Sequence, residues 1–89
     1  MYKFLVSIII VPLNSRKDFL KTLKSSIKQK SNNYEIIVID GNSIDGTKKE
    51  IIRYKNKIDK KIIARDNGIY DAMNKGVKIA SGNWIIFMN

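Results

Sequence analysis

Four aspartates, Asp40, Asp45, Asp66 and Asp71, are the residues of this 89-residue chain best placed by type and spacing to do chemistry. Each stands just beyond a β-branched run or at the start of a helical one. A carboxylate is a poor direct ligand for phosphate, because like charges repel. It is a good acceptor for ribose hydroxyls or a pyrimidine N–H, and a good ligand for hard cations. A nucleoside diphosphate bridged by magnesium or manganese reconciles acidic residues with an anionic ligand. Other chemistries are excluded by composition. With no histidine and no cysteine, the commonest general base, the commonest transition-metal ligand and every thiolate site are missing. The first apolar run leads into Pro12-Leu13-Asn14-Ser15, which carries neither the glycines of a dinucleotide fingerprint nor the Gly-Lys-Ser/Thr of a P-loop.

The elements that must position these aspartates follow from the hydrophobic pattern. Residues 4–11 are almost continuously aliphatic, as in a strand buried on both faces of a parallel sheet, and Pro12 ends the run. Ser15 and Asp18 resemble a capping box, followed by a helical stripe of Phe19, Leu20, Leu23 and Ile27 up to about Lys30. A turn at 31–33 precedes a second strand over 35–39. Thr47 and Glu50 form a second capping-box pattern, opening a helix through Ile51, Ile52, Tyr54 and Ile58. A short third strand over 61–65 comes next, then turn chemistry at Asp66-Asn67-Gly68 and a helical stripe of Ile69, Met73, Val77 and Ala80. The fourth strand spans 84–88. The alternation βαβαβαβ predicts an α/β fold, a mostly parallel open sheet with helices on both faces and strand order 3-2-1-4. Asp45 and Asp66 are expected to make Asx turns. In such sheets ligands bind beyond the carboxyl ends of the strands, which is where all the unusual polar residues gather.

The formal net charge of +9 raises the question of nucleic acid. The basic residues are mostly lysines spread over every predicted helix, so a solvated lysine surface is the expectation and nucleic acid is not an expected partner. No apolar run is long enough to span a bilayer, and Met1-Tyr2-Lys3 lacks a secretory pattern. A cytoplasmic location is therefore expected, with peripheral contact to the cytoplasmic membrane face left open.

Three stretches resemble family-2 glycosyltransferases of the GT-A fold, of the bacterial surface-polysaccharide type. These are Ser7-Ile8-Ile9-Ile10-Val11-Pro12-Leu13-Asn14, then Ile37-Val38-Ile39-Asp40-Gly41-Asn42-Ser43-Ile44-Asp45-Gly46-Thr47, and Asp66-Asn67-Gly68-Ile69-Tyr70-Asp71-Ala72-Met73-Asn74-Lys75-Gly76. The third is the most specific, and the three in order cover nearly the whole chain. The resemblance implies that Asp40 holds the base or ribose of the nucleotide and that Pro12 and Asn14 lie along the nucleoside. It implies that Asp71, Asn74 and Lys75 face the sugar diphosphate. The donor it implies is a nucleotide-diphospho-sugar, UDP-type favoured, and the acceptor a growing glycan, reached with inversion.

The resemblance further implies a short acidic triplet after the fourth strand, whose last aspartate binds the metal, and Asn89 matches its first position. Residues 1–89 thus read as the N-terminal part of a GT-A nucleotide-sugar-binding domain, with the acceptor domain and the catalytic base elsewhere. Magnesium or manganese is expected for the full enzyme and not for this chain alone, which is expected to be inactive by itself. The rival reading is a truncated, non-catalytic nucleotide-binding or basic binding module.

Overall fold

A computed structural model describes residues 4–12, 15–29 and 31–88. Asn14 and Asn89, both singled out above, lie outside the described residues. The elements are β1 (Val6–Ile10), α1 (Arg16–Gln29), β2 (Tyr34–Asp40), α2 (Thr47–Arg53), a 3₁₀ turn (Lys55–Lys57), β3 (Lys60–Ile63), α3 (Ile69–Ile79) and β4 (Trp84–Met88). The four strands form one sheet in the order β3-β2-β1-β4, parallel throughout, as the pattern predicts.

Strand periodicity sorts the aliphatic residues onto two faces. Val6, Ile8, Ile10, Ile36 and Val38 meet Phe19 and Leu23 of α1 and Ile51 of α2 on one face. Ile9, Val11, Ile37 and Ile39 meet Ala72 of α3 on the other. Because β1 and β2 are covered on both sides, neither shows polar alternation, which is why both read as unbroken apolar runs. α3 approaches its face closely at Gly76, where a Cβ would stand 2.7 Å from a methyl of Ile9. β4 is an edge strand with Trp84, Ile85, Ile86 and Phe87 all exposed.

The amino-terminal ends of the strands are joined by a network the sequence pattern does not announce. Glu35, fully buried in β2, accepts from the Ser7 hydroxyl (2.6 Å) and the Ser81 N–H (2.5 Å), and pairs with the Lys60 ammonium (3.1 Å). Lys60 also donates to the Ile79 carbonyl and the Ser81 hydroxyl, and the Gly82 N–H donates to Ser7 Oγ. Four elements are thereby pinned to one carboxylate: β1, β2, β3 and the turn from α3 into β4. Burial alone would push the Glu35 carboxyl up; the hydrogen bonds from Ser7, Ser81 and Lys60, with the Lys60 charge, outweigh it and hold the carboxyl below its ordinary value.

Two local expectations are corrected. Thr47 is not an N-cap; Gly46 holds that position, with φ 93° and no side-chain cap. Thr47 instead donates its hydroxyl (2.6 Å) and N–H (3.1 Å) to Asp45, so Asp45 supplies the acceptor that the capping-box reading gave to Thr47. Glu50 does not reach back to the cap but lies buried between Arg16 and Arg53, 3.7 Å from each. The helix it belongs to ends at Arg53, and the 3₁₀ turn carries the chain to Ile58. At α1, Ser15 does meet Asp18, as donor at 2.9 Å.

Candidate nucleotide site at the carboxyl edge of the sheet

β1 and β2 deliver Pro12 and Asp40 to the same edge of the sheet because their registers run together, Ile10 beside Val38. Between the two strand ends lies a recess of about 170 Å³ lined by Val11, Pro12, Gly41, Asn42, Ser43, Asp66, Gly68 and Ile69. Its wall thus comes from all three of the stretches quoted in the sequence, the last contributing Asp66, Gly68 and the first residue of α3.

Asp40 is fully buried and does not line the recess. Its carboxylate accepts from the Ser43 N–H (3.0 Å) and the Ser43 hydroxyl (2.5 Å), closing a tight loop over 41–43. Asn42 sits in that loop at φ 73°, a left-handed conformation that asparagine tolerates better than most residues. In this structure Asp40 therefore shapes the wall from behind. The carboxylate beside the recess is Asp66, half-buried, with Oδ1 accepting the Gly68 N–H at 3.0 Å in the expected Asx turn. Its other oxygen faces Gly41, where an added Cβ would collide with the carboxylate. The absence of a side chain at Gly41 is what lets Asp66 approach the β2 loop. Sequence reasoning assigned Asp66 to turn formation and missed this second use; the adjoining Gly41 was the signal that could have found it.

Asp45 is the second expected Asx turn, and it also accepts the Arg16 N–H at 2.8 Å, tying the start of α1 to the start of α2. The Thr47 hydroxyl is the largest of the hydrogen bonds that hold the Asp45 carboxyl below its ordinary value.

Asp71, Asn74 and Lys75 do not line the recess. Asp71, in the first turn of α3, accepts the Asn67 N–H at 3.0 Å, which with the charge of Lys75 keeps its carboxyl below the ordinary value. Lys75 stands 3.4 Å from Asp71 and donates to the Arg65 carbonyl at 3.1 Å. Asn74 is exposed. The three share the helix that follows the recess, and Lys75 is held over the β3–α3 loop.

Among the described residues no group of three or more metal-ligating side chains stands together. Asp40, Asp45 and Asp71 are each turned to protein donors. The described carboxylates therefore do not by themselves assemble a divalent-cation site.

A parallel 3-2-1-4 sheet with a polar recess at its carboxyl edge is an open α/β arrangement, in which ligands bind beyond the carboxyl ends of the strands. The sequence matches glycosyl transferase family 2 over residues 7–89, and the chain belongs to that family. It is 34% identical over 85 residues to a PGL/p-HBAD biosynthesis glycosyltransferase of Mycobacterium bovis, an alignment that covers 92% of this chain and 33% of that protein. The fold superposes on TarS 1–349 of S. aureus in complex with UDP-GlcNAc with a TM-score of 0.81, at 27% identity over 96% of this chain and 26% of that one. It also superposes on a mannosyltransferase of Pyrobaculum calidifontis in complex with GDP-Man and Mn²⁺, with a TM-score of 0.77 at 21% identity over 94% and 26% of the two chains, a likeness of fold. The chain spans about a third of the length of the curated relatives it matches. No helix among the described residues is long and apolar enough to cross a membrane.

Proposed function

We propose that this chain is the donor-binding portion of a glycosyltransferase that moves a sugar from a nucleoside diphosphate, UDP-type, to a growing glycan with inversion. The observation that carries the reading is the recess between the ends of β1 and β2, whose wall is built from the three family-like stretches together. In this reading the nucleoside enters the recess along Pro12, with Asn14 beyond it. The 41–43 loop presents its edge to the base or ribose, and Asp40 fixes that loop through Ser43. Asp66 offers the nearest carboxylate oxygen to a hydroxyl or ring N–H.

Lys75 supplies the positive charge for the departing diphosphate, exchanging its bond to the Arg65 carbonyl for a phosphate oxygen. Asp71 orients Lys75, and Asn74 faces the same ligand from the next position of the helix. A divalent cation in the complete enzyme would neutralise the diphosphate, with Asn89 at the first position of its triplet. The acceptor hydroxyl and the base that deprotonates it belong to the remainder of such an enzyme.

Titration of the ¹⁵N-labelled chain with UDP, GDP and UMP tests the reading. UDP is expected to shift the amides of 41–43 and 66–69, with the Lys75 side chain responding to UDP more than to UMP. Amide shifts confined to other regions, or none at millimolar UDP, would overturn it in favour of a module without a nucleotide site.

A further inference from the structure

The fold groups charge that looks dispersed in the sequence. α1 and α2 lie on the same face of the sheet, and α3 lies on the other. α1 carries Arg16, Lys17, Lys21, Lys24 and Lys28 against Asp18. α2 and the following 3₁₀ turn carry Lys48, Lys49, Arg53, Lys55 and Lys57 against Glu50, which is itself buried. α3 on the opposite face carries only Lys75 and Lys78 against Asp71. Nearly all the formal excess of positive charge among the helices therefore sits in one layer.

Within that layer the lysines are ordered. Lys17, Lys21, Lys24 and Lys28 are spaced by four, three and four residues, which places them within about 60° of one another around the helix. All four are exposed, and among the described residues none is paired with a carboxylate. The stripe runs about 16 Å along α1. Like charges at such spacing repel, so the row costs a little stability unless something anionic neutralises it.

We propose that the α1–α2 face docks on a phospholipid surface bearing anionic headgroups. A bilayer surface is extended, so α1 and α2, side by side on one face of the sheet, can engage it together. Lysines suit a diffuse field of headgroups, whereas base readout in a duplex uses forked arginines and side-chain amides. Ile52, 59% exposed among Lys48, Lys49 and Arg53, adds an apolar contact at the interface. Since α1 and the strands lie parallel to this face, docking would leave the carboxyl edge of the sheet opening sideways, level with the surface. The inference rests on charge and exposure alone and stands whether or not the recess binds a nucleotide.

The test is co-sedimentation of the chain with phosphatidylcholine vesicles, with and without about a third phosphatidylglycerol. Binding is expected only to the anionic vesicles, and is expected to be lost as salt rises from about 0.05 M to about 0.5 M. Lys21→Glu with Lys24→Glu should lower vesicle partitioning by roughly tenfold or more. Lys78→Glu, on α3 of the opposite face, makes the same change in net charge as Lys24→Glu alone and should lower partitioning far less than that matched variant; circular dichroism confirms that the variants are folded. Equal losses in the two matched variants, binding to neutral vesicles, or tighter binding to a duplex oligonucleotide than to anionic vesicles at the same salt would each overturn the proposal.

Discussion

Replacing Glu35 by glutamine should be the most damaging single-atom exchange in the chain. The carboxylate is fully buried and holds the Ser7 hydroxyl, the Ser81 N–H and the Lys60 ammonium. Glutamine keeps one acceptor oxygen and places an NH₂ where the other stood, against Lys60 or against donors already pointing inward. Breaking a buried ion pair costs about 3–5 kcal/mol. Lys60 is a third exposed and can recover some hydration, so a loss of about 2–4 kcal/mol is expected. A domain of this size has only about 5–13 kcal/mol to lose. Urea unfolding followed by far-ultraviolet circular dichroism measures it. The pH dependence gives an internal control. Because the folded carboxyl lies below its ordinary value, its contribution is present above about pH 4.5 and disappears as pH falls through the folded value. Asp45 and Asp71 contribute slopes of the same sign, which the variant retains. The wild-type and Glu35→Gln stabilities should therefore converge in acid and diverge towards neutral pH. A loss below about 1 kcal/mol at pH 7, or a gap that stays constant with pH, would refute the reasoning.

Other substitutions separate the recess from the scaffold. Gly41→Ala puts a Cβ against the Asp66 carboxylate, 3.0 Å from its Cγ. It should weaken UDP binding about fivefold in calorimetry while costing under about 1 kcal/mol of stability, because the half-exposed Asp66 can swing away. Asp45→Ala removes the acceptor shared by Arg16 and Thr47 and should cost about 1–2 kcal/mol in urea unfolding, with UDP affinity near wild type. Gly76→Ala gains helix propensity but drives a methyl into Ile9. A net loss of about 1–3 kcal/mol is expected, and a gain would show that α3 can lift from the sheet.

Much of this architecture is legible in the sequence because its signals are local. β1 and β2 are aliphatic runs ended by Pro12 and by Asp40-Gly41, and parallel strands separated by helices admit few topologies. Boundaries drifted where local signals compete. β3 spans Lys60–Ile63, starting one residue earlier and ending two residues earlier than the pattern predicts. α2 stops at Arg53 although its apolar stripe continues to Ile58. The Glu35 network stayed hidden because its partners are up to 46 residues apart, and only Ser7, the single polar residue in an aliphatic strand, hinted at it. The burial of the Asp40 carboxylate was hidden differently. A strand-end aspartate looks the same in sequence whether its carboxylate faces a ligand or is consumed by Ser43 three residues on.

That difference changes how the site is understood. The β3–α3 loop touches both halves of the proposed ligand position: Asp66 and Gly68 line the recess, while Asn67 and Arg65 are held by Asp71 and Lys75 from α3. Every one of these ties is a hydrogen bond at a partly exposed position, worth about 0.5–1.5 kcal/mol net and exchangeable for a bond to phosphate or sugar. Asp40, by contrast, has no exposure through which to exchange its bonds. In the proposed reading, therefore, the β2 loop is the fixed wall and the β3–α3 loop the adaptable one. A diphosphate that drew Lys75 from the Arg65 carbonyl would release one anchor of the loop carrying Asp66. Nucleoside and diphosphate would then be sensed through the same four residues, and UDP should order 65–68 more than UMP or free pyrophosphate does alone.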